Sequence, residues 1–477
     1  MIHIVIPSTA TLVERSDGVT KYTAFNIHVN GWLHASIRYS LLHKFAESVR
    51  LKFDCRFGGR FHLPEFPPKK IAFGRLDGSA LDERRLRIAK YLQNLVQLAE
   101  VMRSSLVERT FLEFQLESYR PASSSVNLEV LLGDGTRHTA RCGVLLNTRD
   151  VMKILAENLA CDFDLLYQYF GIFMVRERRE DGAGPFDMLP VRLLRNFESP
   201  YVSLQLANQR SACRGIVYKL QLRRMVWEPR VQERLFECPF ITGLLYKQAH
   251  ADMICGQMQP STTETEAQLE ALANDETAER FLRLCSQQST YGYEELGVAE
   301  AELPSKGTVR TRVRVGRRQL LLICVQTGTE WIFRATRIRI WRISQPPSVV
   351  DPLIFQFEYL VGKDQFEWVT LRTDQAILLS LLLQDIGADI LSEHHEAAKE
   401  AARSVISADD VISPLKIPAS TSASSSNGQS SSSSYTSFST ANLMRSSAPM
   451  NSVDLLPVVL SENGTANSSF QITDDDL

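Results

Sequence analysis

The chain has 477 residues, 44% of them hydrophobic, which is length for about three domains of ordinary size, each with a core of its own. No stretch reaches the ~18 uncharged apolar residues of a bilayer-spanning helix, the start MIHIVIPSTA has no basic leader, and the eight cysteines form no Cys-x-x-Cys pair; the expectation is a cytosolic chain with reduced thiols and neither a zinc site nor a disulfide framework. The net charge of -2 hides an asymmetry, because residues 36–90 hold thirteen Lys and Arg against six Asp and Glu.

In chain order, YTAFNIHVNGWLHASIRYS reads as a β-hairpin. Phe25, Ile27 and Val29 alternate with polar residues, Asn30-Gly31 supplies a type I′ turn, and Leu33, Ala35 and Ile37 resume the alternation. Arg38 then falls on the face opposite Ile37. Ser40 is the expected N-cap of a helix through Leu41, Leu42, Phe45 and Val49, so Arg38 lies beside the positive end of a helix dipole, a place suited to an anion. The three prolines of LPEFPPKK hold the chain extended, and a helix follows with Leu81, Leu86, Ala89, Leu92 and Val96 on one side. YRPASSS marks a break.

From Val126 a second hairpin turns at Asp-Gly, followed by a helix capped at Thr148 and the strand YFGIFMVRE, the order of a ubiquitin-like unit. Residues from about 228 to 295 read as helices throughout. Between about 297 and 375 the chain turns to strands, and a helix with an uninterrupted apolar middle ends the folded part, as in a capped β-sandwich. TVRTRVRVGRRQ is read as the wet face of an edge strand, and nucleic-acid binding is not expected. Beyond about 412 the serine-rich composition predicts disorder, yet the end SSFQITDDDL sets Phe470, Ile472 and Leu477 among aspartates, as a docking peptide does. No phosphate loop, G-x-S-x-G or H-E-x-x-H is present, which favours a binding protein over an enzyme.

Arg38-Tyr39, then LPEFPPKK some thirty residues on, then ERRLRIAKYL, resemble the phox-homology (PX) domain, a phosphoinositide-binding module, over residues 1–112. By that resemblance Arg38 would grip the 3-phosphate of phosphatidylinositol 3-phosphate and Tyr39 would stack beneath the inositol ring. Lys69 would reach the 1-phosphate, Arg84 the free hydroxyls, and Ile71 and Phe73 would dip into the bilayer. The order of the remaining units resembles a FERM domain, with a ubiquitin-like lobe at 122–208, a helical lobe at 209–294, a PTB/PH-like lobe at 295–400 and a disordered tail at 412–477. The fold class expected is thus multidomain α+β.

A PX domain joined to a FERM domain is the arrangement of one sorting nexin subfamily, which NIHVNG, FPPKK, SPYVSLQ, LLYKQ and the tail ITDDDL also resemble. The resemblance implies a peripheral adaptor on early endosome membranes, with no catalytic residue, cofactor or metal. Its last lobe would bind NPxY or NxxY motifs in cargo tails, among them integrins and the lipoprotein-receptor family, by adding them to the edge of RIRIWRI. Trp341, Ile343, Gly387 and Leu391 would line the groove, with Gly387 standing where a bulkier apolar residue is expected; sandwich core is the other reading of Trp341. Asp475, Asp476 and Leu477 would recruit the Retriever complex. The alternative from another class is a FERM-type membrane-to-cytoskeleton scaffold, against which the acidic, serine-rich tail argues.

Overall fold

The computed structural model describes residues 2–14, 18–57, 62–69, 78–102, 104–119, 123–178, 187–304, 306–344, 352–409 and 468–471. The expected first hairpin forms: β1 (Ile4–Val13), β2 (Lys21–Val29) and β3 (Trp32–Arg38) make an antiparallel three-stranded sheet. Asn30 and Gly31 turn it with φ of 52° and 82°, the left-handed pair that a two-residue hairpin demands. Phe25, Ile27, Val29, Ala35 and Ile37 face the core. Helix α1 (Tyr39–Phe57) starts directly at Tyr39, so Ser40 sits in its first turn and is not its cap.

Helix α2 (Gly78–Leu95) buries Ile88, Tyr91, Leu92 and Leu95. Leu86, expected inward, is 57% exposed, because at about 100° per residue it points away from that stripe. After α3 (Ala99–Met102), Ser104 caps α4 (Ser105–Ser118) by accepting a hydrogen bond from the Leu106 N–H. Position 112, the expected limit of the first domain, falls inside α4. Phe111 and Phe114 of that helix share a core with Phe197, from far along the chain.

The second sheet comprises β4 (Ser125–Leu131), β5 (Arg137–Gly143), β6 (Phe170–Glu177), β7 (Met188–Leu193) and β8 (Tyr218–Arg224), with α5 (Thr148–Asn158), α6 (Phe163–Tyr169) and α7 (Pro200–Ser211) between strands. Its order is β5-β4-β8-β6-β7, with β4 and β8 parallel. The cap of α5 is Asn147, one residue before the expected Thr148. Strand β8 lies at the centre of the sheet although it follows the expected boundary at 208. Its polar letters, YKLQLRR, disguise it: Gln221, Arg223 and Arg224 are all buried.

Helices α8 (Pro229–Arg234), α9 (Pro239–Ile254), α10 (Thr263–Ala271) and α11 (Ala278–Ser286) follow, and their apolar faces are continuous with the core of the second sheet. The last lobe is antiparallel: β9 (Tyr293–Leu303), β10 (Gly307–Gly316), β11 (Gln319–Cys324), β12 (Glu330–Arg334), β13 (Ile338–Ser344), β14 (Ile354–Gly362) and β15 (Gln365–Arg372), then α12 (Ala376–Asp409), and finally β16 (Ser468–Gln471). The order is β12-β11-β10-β9-β15-β14-β13-β16. The arginine-rich β10 is therefore an interior strand, a correction to its reading as an edge, and Arg310 lies opposite Glu300. Leu379, Leu382 and Ile386 of α12 are fully buried. Residues Met1–Ala388 with Asp454–Leu477 form one compact unit, and Asp389–Val453 a second.

Buried ion pairs lie within and between the lobes of the first unit. Arg178 meets Asp187 at 3.1 Å and Glu295 at 3.5 Å, Arg314 meets the same Glu295 at 2.7 Å, Arg223 meets Glu294 at 2.6 Å, and Arg224 meets Asp252 at 3.3 Å. The first domain joins too: the Gln115 Oε1 accepts from the Ser199 N–H at 2.7 Å, and Trp32 meets Tyr218 edge-on at 5.2 Å. Burial takes these charges out of water, so each depends on its partner. Replacing Glu295 with alanine leaves Arg178 and Arg314 short of a carboxylate at once and should lower unfolding free energy by roughly 3–5 kcal/mol. Urea unfolding followed by tryptophan fluorescence checks this, and a midpoint equal to that of the unaltered chain refutes it.

A candidate anion site and an occupied sheet edge

At the end of β3 the hairpin register sets Arg38 opposite Ala24. Its Nη1 donates to the Glu14 Oε2 at 2.7 Å, its guanidinium lies 5.8 Å from the Tyr22 ring, and its side chain is 39% exposed. Tyr39, the next residue, is the hinge of the site. Its hydroxyl donates to the Pro67 carbonyl at 2.7 Å, which fastens the proline run to the start of α1. Its ring packs on Phe66 at 5.5 Å, and Arg84 of α2 lies over it at 5.0 Å. Burial raises the Tyr39 pKa while the nearby Arg84 charge opposes that rise, so the phenol stays a donor.

Arg84 has no carboxylate partner among the described residues, and its Nη2 is buried without a hydrogen bond there, as is the Nε of Arg38. A phosphate oxygen is the acceptor that such forked cations take best. Arg85 has a different duty: it binds the Ile6 carbonyl at 2.5 Å and Asp82 at 3.1 Å, holding α2 to β1. Lys69 is exposed, two residues beyond Pro67. The contacts thus set Arg84 on Tyr39, with Arg38 its chain neighbour held by Glu14 and Tyr22, and leave Lys69 on the adjoining extended segment. A cavity of about 310 Å³ opens on the same proline run, lined by Pro64, Phe66, Pro67, Arg87, Lys90 and Tyr91, and includes none of those three. Ile71 and Phe73 lie outside the described residues.

The second feature is β13. One side of it pairs with β14, Trp341 opposite Phe357. The other side pairs with the chain's own β16, Ile340 opposite Gln471 and Ile343 opposite Ser468. This is the strand expected to receive a peptide, and residues 468–471 occupy it. Trp341 resolves to sandwich core: it is 2% exposed, and its indole N–H donates to the Ser380 Oγ at 2.9 Å. Ile343 is equally buried. Gly387 is buried two helical turns past Ser380, on the same face of α12, and Leu391 is half-buried one turn further along. Asp475, Asp476 and Leu477 lie outside the described residues.

Sequence reasoning missed Glu14 and the seat of residues 468–471. The first offered no signal, since one glutamate before a turn is ordinary. The second had one: Phe470 and Ile472 are apolar residues that follow a serine-rich stretch, as Val453 to Leu460 do. Among the described residues no group of His, Cys, Asp and Glu is placed to hold a metal ion.

Three family profiles match: the PX domain over residues 25–115, the sorting nexin 17/27/31 FERM domain F1 lobe over 126–227, and the sorting nexin 17 FERM C-terminal domain over 292–391. Sorting nexin-17 of Rattus norvegicus is 34% identical over 409 residues, covering 82% of each chain. Sorting nexin-17 of Homo sapiens is 34% identical over 407 residues with the same coverage. Sorting nexin-31 of Mus musculus is 27% identical over 414 residues, 84% of this chain and 88% of its own.

Proposed function

The chain belongs to the sorting nexin-17 family of PX-FERM proteins, and from that premise we propose that it is an endosomal cargo-sorting adaptor, working by binding alone. Its PX domain holds phosphatidylinositol 3-phosphate and keeps the chain peripheral on early endosome membranes. What supports the lipid reading is that Arg84 lies over the Tyr39 ring, and that Arg84 and Arg38 each keep a buried guanidinium nitrogen without a hydrogen bond among the described residues. Arg38 takes the 3-phosphate and Arg84 the ring hydroxyls. Lys69 takes the 1-phosphate from the extended segment that Tyr39 anchors.

The last FERM lobe takes NPxY or NxxY tails of transmembrane cargo, such as integrins and lipoprotein receptors, as an added strand on β13. What supports this is that β13 already accepts four residues of the tail as an antiparallel strand. Main-chain pairing supplies affinity there, and Ile343 and Gly387 shape what lies beside it. Trp341 acts from beneath, holding β13 to α12 through Ser380. The terminal Asp475, Asp476 and Leu477 recruit Retriever, so that bound cargo returns to the plasma membrane. Cargo and tail compete for one edge, and cargo binding frees the tail. Lipid and cargo on one membrane reinforce each other by effective concentration. The scaffold alternative has no basic helical tail to support it.

Arg38→Gln should weaken binding to vesicles containing phosphatidylinositol 3-phosphate by about tenfold to a hundredfold, the worth of a lost charge-assisted contact. Sedimentation with the folded variant checks this, and unchanged binding removes the lipid assignment. Deleting residues 412–477 should tighten binding of an NPxY peptide in calorimetry, and equal affinity would dismiss the competition. Deleting Leu477 alone should abolish Retriever pull-down while lipid and peptide binding persist; retained pull-down removes that role.

A further inference from the structure

We infer that Glu14 is a built-in competitor for the phosphate, and that it holds the affinity of the Arg38 site below what the bare guanidinium would give. This rests on the lipid reading above. The backbone holds Glu14 in place, because its N–H donates to the Thr20 carbonyl at 2.6 Å and its carbonyl accepts from the Gly18 N–H at 2.9 Å. That closes the turn between β1 and β2 and presents the carboxylate to Arg38 at 2.7 Å. The two side chains are 39% and 31% exposed, so the pair is half in water and readily opened.

The contact is also incomplete, since the Glu14 carboxylate meets Nη1 while the Nε of Arg38 has no hydrogen-bond partner among the described residues. A phosphate monoester carries about −1.5 to −2 charges and three acceptor oxygens, enough to span both nitrogens. It outcompetes Glu14 in charge and in geometry. A carboxylate or a phosphodiester brings a single charge, no more than Glu14 does. Glu14 meets Arg38 intramolecularly, at an effective concentration in the millimolar range or above, so every anion must displace it and every apparent affinity falls by the same factor. Glu14 thus lowers the affinity of the site without touching the headgroup.

The test uses the full chain and three vesicle types, phosphatidylcholine doped with phosphatidylinositol 3-phosphate, phosphatidylinositol or phosphatidylserine. Glu14→Gln keeps the shape and removes the charge. It should tighten binding to the first by roughly two- to five-fold, as for a half-exposed pair. It should tighten any binding to the other two by no more than the same factor, since every ligand of Arg38 displaces the same carboxylate. Short-chain, water-soluble phosphatidylinositol 3-phosphate in calorimetry should show the same gain, which separates headgroup contact from attraction to the bilayer surface.

Glu47→Gln makes the same charge change at a residue paired with Arg50. An equal gain from Glu47→Gln, or no gain from Glu14→Gln, overturns the inference. So does a Glu14→Gln gain that persists when Arg38 is also changed to glutamine. Failure of the underlying reading looks different: the unaltered chain would then bind all three vesicles alike, and Arg38→Gln would change nothing.

Discussion

An arginine removed from water must find an anion, and that requirement organises this molecule. Arg178, Arg223, Arg224 and Arg314 are nearly inaccessible, and each is answered by a carboxylate from another strand or helix. Glu294 and Glu295, side by side at the start of β9, serve three of the four. Desolvated charges of this kind add little net stability over apolar packing, but they penalise any arrangement that separates them. They are therefore suited to holding the ubiquitin-like sheet, the helical lobe and the last sheet in one relation.

Arg38 and Arg84 stand outside that pattern, and the exceptions mark the proposed site. Arg38 has a carboxylate it can give up, because its pair with Glu14 is half in water. Arg84 has an aromatic ring in place of a carboxylate. Tyr39 serves both by position: its ring supports Arg84, its hydroxyl holds the proline run, and its backbone follows Arg38 directly. A phosphate would complete what the protein leaves incomplete.

The first domain is not a separate bead. Gln115 of α4 bonds to Ser199, Trp32 packs on Tyr218, and Phe197 lies within the first domain's core. A Cβ on Gly31 would lie 3.2 Å from Ile377, so the same turn glycine that shapes the first hairpin also lets it approach α12 closely. The candidate anion site and the β13 edge thus lie within the same compact unit.

Local patterns in the amino-acid sequence determined the elements. Asn30-Gly31 dictates a tight hairpin, the prolines of LPEFPPKK forbid a helix, and a serine-rich tail has little apolar surface to bury. These are effects of residues on their near neighbours, so they are legible in one dimension. The tertiary structure alone decided the rest. It put β8 at the centre of a sheet despite its charged letters, turned Leu86 outward, made β10 an interior strand, sank Trp341 into the core and set Glu14 against Arg38. It also seated residues 468–471 on β13, more than a hundred residues away in the chain. Burial, charge pairing and strand addition depend on what arrives from elsewhere, and no local spacing encodes that arrival.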